Sequence, residues 1–119
     1  MLAIRFSSLA EDDLRQLLYQ SEEQFGAAAR QRYRVLLETA VSMIADDPSR
    51  VLSRSRTELG RGIRSWHIRN SRDSSPGGKV RNPRHVIFYR VDGDELVIGR
   101  VLDHVMEPAF HVTDDMDWS

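Results

Sequence analysis

The sequence predicts an α+β domain in the order β-α-α-β-β-β, with an N-terminal helical hairpin packed on one face of a small, mostly antiparallel sheet. Three observations carry this expectation. Two apolar stripes of helical period follow each other almost without a loop, and apolar or alternating runs bounded by turn signals fill the second half. The third is size: 119 residues, 40% of them hydrophobic, suit a single core.

Leu2 to Phe6 alternates loosely and ends at Ser7-Ser8, as a short strand before a helix does. Ser8-Leu9-Ala10-Glu11 is a capping-box pattern, so the first helix is expected to start with Ser8 as its cap, with Glu11, Asp12 and Asp13 at the positive end of its dipole. Leu14, Leu17, Leu18 and Phe25 form its apolar stripe, and Gly26 ends it. Tyr33, Leu36, Leu37, Ala40, Val41 and Ile44 repeat the helical spacing until Asp46-Asp47-Pro48 stops it. So short a connection folds the two helices back on each other.

After Pro48 the helical period disappears. Gly60 and Gly62 mark a turn into a strand from Ile63 to Arg69, with Ile63, Ser65, His67 and Arg69 on one side and Arg64, Trp66 and Ile68 on the other. Residues 70–84 are rich in Ser, Gly, Pro and Arg and lack periodicity, which predicts an inserted, mobile loop or flap. His85 to Val91 and Glu95 to Leu102 flank the turn Asp92-Gly93-Asp94 and form the clearest hairpin. The domain is expected over residues 1–112, and residues 113–119 as an acidic tail that frays.

Charge is segregated. Residues 1–49 carry 5 basic and 8 acidic side chains, residues 50–90 carry 11 and 2, and residues 91–119 carry 1 and 8. The middle block is almost all arginine, a side chain suited to bidentate phosphate or carboxylate contacts, so it faces either an anionic partner or the acidic blocks of its own fold. With no cysteine there is no disulfide framework, thiolate metal site or thiol nucleophile, which fits a reducing cytoplasm. No apolar run approaches the roughly 18 residues of a membrane span, so neither export nor membrane insertion is expected.

Several motifs agree in order and spacing over about residues 1 to 110. They are Ala10-Glu11-Asp12-Asp13-Leu14, Phe25-Gly26, Asp47-Pro48, Leu59-Gly60-Arg61-Gly62-Ile63-Arg64, His85-Val86-Ile87-Phe88-Tyr89-Arg90 and Ile98-Gly99-Arg100-Val101-Leu102. As a set they resemble the RelE/ParE superfamily of type II toxins, and the ParE branch in particular. That resemblance implies a toxin neutralised by a cognate ParD-like antitoxin, with DNA gyrase as the target, operator DNA reached only through the antitoxin, and no cofactor or metal. Arg64, Arg69, Arg81, Arg84, Arg90 and Arg100 are then the candidate contacts to target or antitoxin. Antitoxins of this superfamily bury apolar surface between hairpin and sheet, and Leu9, Leu18 and Val35 are candidates to line such a groove.

RelE-like relatives instead cut messenger RNA on the ribosome. That chemistry needs a base for the 2′-hydroxyl, a cation at the phosphate and an acid for the leaving oxygen. Here His67 and His104 offer an acid–base pair, and Phe110 stands where relatives place a terminal tyrosine, so that role is missing unless His111 or His104 supplies it. The insertion at Ser71 to Pro83, the displaced His104 after Arg100-Val101-Leu102-Asp103 and the long tail depart from the pattern. They leave a non-toxic, antitoxin-binding remnant as a third expectation. A metal site from His104, Glu107 and His111 is disfavoured because Pro108 breaks the helix that would align them.

Overall fold

The structure, a computed structural model, describes residues 1–119. Strand β1 (Ala3–Phe6) leads into helices α1 (Ser8–Phe25) and α2 (Ala27–Asp46), followed by β2 (Arg54–Ser55), β3 (Arg64–His67), β4 (His85–Asp92) and β5 (Glu95–Asp103). The sheet order is β1-β5-β4-β3-β2, with β1 parallel to β5 and every other pair antiparallel. The α+β class and element order are those expected, with one strand added. At two residues β2 is too short to leave a periodic signal.

The helix cap differs by one residue from the expectation. Ser7, not Ser8, caps α1, its Oγ accepting from the Ala10 N–H at 3.0 Å while donating to the Gly99 carbonyl at 2.6 Å. Gly26 ends α1 with φ +91°, a conformation that favours glycine, and the chain enters α2 at once. Leu17, Leu36, Leu37, Ala40, Val41 and Ile44 face the sheet. Phe25, expected on the same stripe, is 73% exposed.

Both faces of the sheet are covered. The hairpin closes a core with Trp66, Ile87, Tyr89, Leu96, Ile98 and Val101 on one side. A second core of Leu59, Ile63, Phe88, Val97, Leu102, Val112 and Trp118 lies on the other. Along β5 the inward set changes phase, from Leu96 and Ile98 to Val101. The cause is a bulge: Phe88 pairs with Arg100 but Tyr89 pairs with Ile98, which leaves Gly99 as the extra residue.

Two segments expected to be loose are docked. Ile68–Ser74 forms a 3₁₀ helix with Ile68 and Ser71 fully buried, and the Trp66 Nε1–H donates to Ser71 Oγ at 2.9 Å. The segment therefore starts as part of the core. The acidic tail is also held, because Trp118 is 5% exposed and lies over Gly99. Arg5 donates to the Trp118 carbonyl at 2.8 Å, and the Ser8 N–H donates to the Ser119 carbonyl at 2.7 Å.

Gly99 leaves no room for a side chain: a Cβ there meets Trp118 Cζ3 at 2.4 Å and Met116 Cε at 2.8 Å. Gly99→Ala is expected to displace Trp118 and cost about 1–3 kcal/mol, measured by urea unfolding together with a red shift of the tryptophan emission.

Candidate functional site

The six candidate arginines separate into working parts of the fold and free charges. Arg100 grips Asp13 of α1 through Nε at 2.8 Å and Nη2 at 3.0 Å, and the two side chains are only 17% and 14% exposed. Asp13 also accepts the Val101 N–H at 2.9 Å, beyond the point where β1 stops pairing with β5. The Asp13 hydrogen bonds raise the Arg100 pKa further, so the guanidinium stays charged. Arg90 lies over the Trp118 ring at 4.3 Å and pairs with Asp114 at 3.4 Å. Arg64 donates to Ser53 Oγ at 2.9 Å, in a network where Ser53 and Tyr89 meet the Pro48 carbonyl. Arg64, Arg90 and Arg100 thus each brace the fold internally. Arg84 pairs with Asp103 at 3.1 Å on the surface, whereas Arg69 and Arg81 are exposed and have no acidic partner.

The structure does bring His67 and His104 together, Nε2 to Nδ1 at 3.3 Å, at the end of β3 and just after β5. His67 Nδ1 accepts the Arg69 N–H at 3.1 Å. A neutral imidazole that accepts at Nδ1 carries its proton on Nε2, so His67 donates to His104 and His104 turns an N–H outward. Burial pushes the His67 pKa down to about 4, with Arg69 and His104 adding to the effect. At neutral pH His67 therefore offers neither a free lone pair nor a positive charge.

A second polar unit, absent from the expectations, sits at the same end of the sheet on the hairpin side. Tyr33 of α2 contacts His85 Nδ1 at 2.6 Å and accepts the Arg84 N–H at 3.0 Å. Burial raises the Tyr33 pKa to about 12, so the phenol keeps its proton and donates it to His85. Burial also lowers the His85 pKa to about 4, with Arg84 and His104 reinforcing and Asp103 opposing. Tyr33 reads as a core residue on its helical stripe, and His85 as the start of a strand. No local signal pairs them across 52 positions.

Beside this unit lies a cleft of about 450 Å³, with Gln16, Gln20 and Gln24 of α1 on one wall and Arg84, His85 and Asp103 on the other. A separate apolar groove of about 490 Å³ runs between β1 and the hairpin, lined by Ile4, Phe6, Leu14, Leu18, Leu37 and Val41. Of the residues expected in a partner groove, Leu18 is there. Val35 instead packs against Gly77, and Leu9 is half-buried outside the groove lining. No group of three or more His, Asp or Glu side chains is arranged to hold a metal ion.

Asp13→Ala strands the Arg100 guanidinium and the Val101 N–H, and is expected to cost about 3 kcal/mol or more, read from the urea midpoint. The two histidines with depressed pKa values give a pH dependence of definite sign. Above the ordinary value of 6.5 both folded and unfolded forms are neutral; between 6.5 and about 4 only the unfolded chain gains the protons. Stability therefore falls as pH drops through that window and levels off below it. In His67→Gln the fall in urea midpoint is expected to be smaller, and NMR titration of the parent chain is expected to find His67 and His85 unprotonated until about pH 4.

No curated protein matches the chain. Among solved structures it is similar to a copper-bound mutant toxin from Helicobacter pylori, with TM-score 0.55 and 19% identity over 87% of this chain and 96% of that one. At that identity the likeness speaks for the fold alone. No helix is long and apolar enough to cross a membrane. The family described as ParE toxin of type II toxin–antitoxin system, parDE, matches residues 4–108, from within β1 through the hairpin, the other four strands and the Asp13–Arg100 brace. The chain belongs to the ParE toxin family of type II toxin–antitoxin systems.

Proposed function

We propose that the chain acts in the cytoplasm by binding and inhibiting DNA gyrase, without catalysis of its own, and that a ParD-like antitoxin holds it inactive. Family membership supports the target. The observation that carries the non-catalytic reading is the locked polarity of the histidine pair. A general base needs a lone pair facing its substrate, and His67 has none free. Phe110, 82% exposed, cannot move a proton either. Arg69 and Arg81, exposed and unpaired, are the cations most open to the target, with Arg84 held beside them in a surface pair with Asp103.

The antitoxin surface in this proposal is the apolar groove beside β1. There β1 is an edge strand with its outer N–H and C=O groups unpaired, and the groove lies between it and the hairpin. An extended segment added to that edge, continuing into an apolar helix in the groove, satisfies both surfaces. Arg34 and Glu38, paired across the rim at 3.5 Å, offer charges of both signs to it.

One observation favours a ribosome-dependent endoribonuclease as a second reading: the 3.3 Å contact between His67 and His104. The two readings separate on expression without a partner. Loss of supercoiling or gyrase-linked DNA breaks with intact messenger RNA supports the inhibitor, early cleavage within transcripts supports the nuclease, and unimpaired growth at verified expression supports the antitoxin-binding remnant. The double variant His67→Ala, His104→Ala is expected to stay toxic. Leu18→Glu is expected to weaken antitoxin binding at least tenfold in calorimetry, since it places a charge in the groove.

A further inference from the structure

A third cleft, of about 720 Å³, runs beneath residues 79–84 where they cross the start of α2. Arg32, Lys79, Arg81 and Arg84 line it together with Asn82 and Phe25, and no acidic side chain does. From this cleft we propose that the chain binds single-stranded nucleic acid, with phosphates along the four cations and an unpaired base on the Phe25 ring. The proposal goes beyond gyrase inhibition and does not depend on it.

The insertion is built as a wall. Gly77 lies so close to Val35 that a Cβ there would come within 2.9 Å of it, and Gly78, at φ +92°, rests on the aliphatic stem of Arg32. At the far end the Arg84 N–H is tied to Tyr33 Oη at 3.0 Å. With the backbone held on α2 at both ends, Lys79 and Arg81 lie along the cleft.

Two of the four charges are unpaired and two are held in surface ion pairs, Arg84 by Asp103 at 3.1 Å and Lys79 by Asp73 at 3.1 Å. Arg32 and Arg81 have no acidic partner. The Lys79 pair with Asp73 is 67% and 87% exposed, the kind of surface contact that contributes little and yields to a phosphate. Phe25 is 73% exposed at a point shared by this cleft and the glutamine-lined one. Cations that follow a backbone beside an accessible aromatic face are the arrangement by which proteins hold single strands, because every base has a π-face. A paired base cannot stack there, so the Phe25 contact is open only to a single strand. Gln20 and Gln24, one helical turn apart, line the adjoining cleft with Phe25 and carry no side-chain hydrogen bond.

The test is fluorescence anisotropy of labelled 12-nucleotide mixed-sequence DNA and RNA strands against the full chain, with DNA and RNA run in parallel to tell which sugar is preferred. The expected affinity falls with salt at a log–log slope of about −2 to −3, as three or four phosphate contacts give on single strands. Arg32→Gln with Arg81→Gln is expected to lower affinity at least tenfold and shrink the slope by about 1.4. Phe25→Leu is expected to lower affinity about tenfold with the slope unchanged. All three side chains are exposed, and matching melting curves keep the comparison about binding. Binding indifferent to the arginine pair, or equal competition by polyglutamate of the same length, overturns the proposal. A gyrase supercoiling assay on Phe25→Leu, which alters none of the cations assigned to the gyrase contact, reports separately on the inhibitor reading.

Discussion

The attachment of the first turns of α1 to the open edge of β5 is the constraint on which the rest depends. Strand β1 pairs only as far as Ile98, and from Gly99 onward helix side chains replace it. Ser7 takes up the Gly99 carbonyl, while Asp13 takes up the Val101 N–H and the Arg100 guanidinium. These bonds satisfy backbone groups that would otherwise be orphaned at a bulge. They also fix the angle at which the hairpin lies on the sheet. The bulge shifts the phase of β5, so Val101 joins the hairpin core while Leu102 joins the core beneath Trp118.

The distribution of charge follows from the same geometry. The acidic C-terminal block folds back on the arginine-rich middle through Arg90 with Asp114 and Arg84 with Asp103, and Arg100 turns to α1. The average charge of −1 is therefore largely achieved inside the molecule. What is left over is not spread evenly. Arg32, Lys79, Arg81 and Arg84 gather around one cleft, and Arg69 is exposed beside the histidine pair.

Much of the architecture was legible because both helices obey a single spacing and the β4–β5 hairpin is marked by Asp92-Gly93-Asp94. What escaped depends on contacts between positions far apart in the chain. Trp118 is buried because Gly99 leaves space for its ring, a match that no window of sequence contains. Residues 70–84 look polar and aperiodic, yet Ser71 answers Trp66, and Gly77 seats on Val35. The site was legible in part. His67 and His104 were paired by their types and approximate positions, whereas Tyr33 with His85 and the tautomers that set the polarity of both pairs needed coordinates. Arginine content pointed to a partner, but it could not say that four of the six candidates, Arg64, Arg84, Arg90 and Arg100, already have partners within the fold.

The docked tail gives the far face of the sheet a conditional character. Trp118, seated on Gly99 and covered by Arg90, behaves there as a ligand tethered to its own receptor, present at an effective concentration set by the few residues linking it to Val112. A molecule approaching that face meets an occupied surface, and its apparent affinity is reduced by the fraction of time the tail is lifted. Such a surface is selected by competition as well as by contact. A partner that captures the acidic segment 114–117 would shift the same equilibrium from a distance and expose Phe88 and Val97 without touching them.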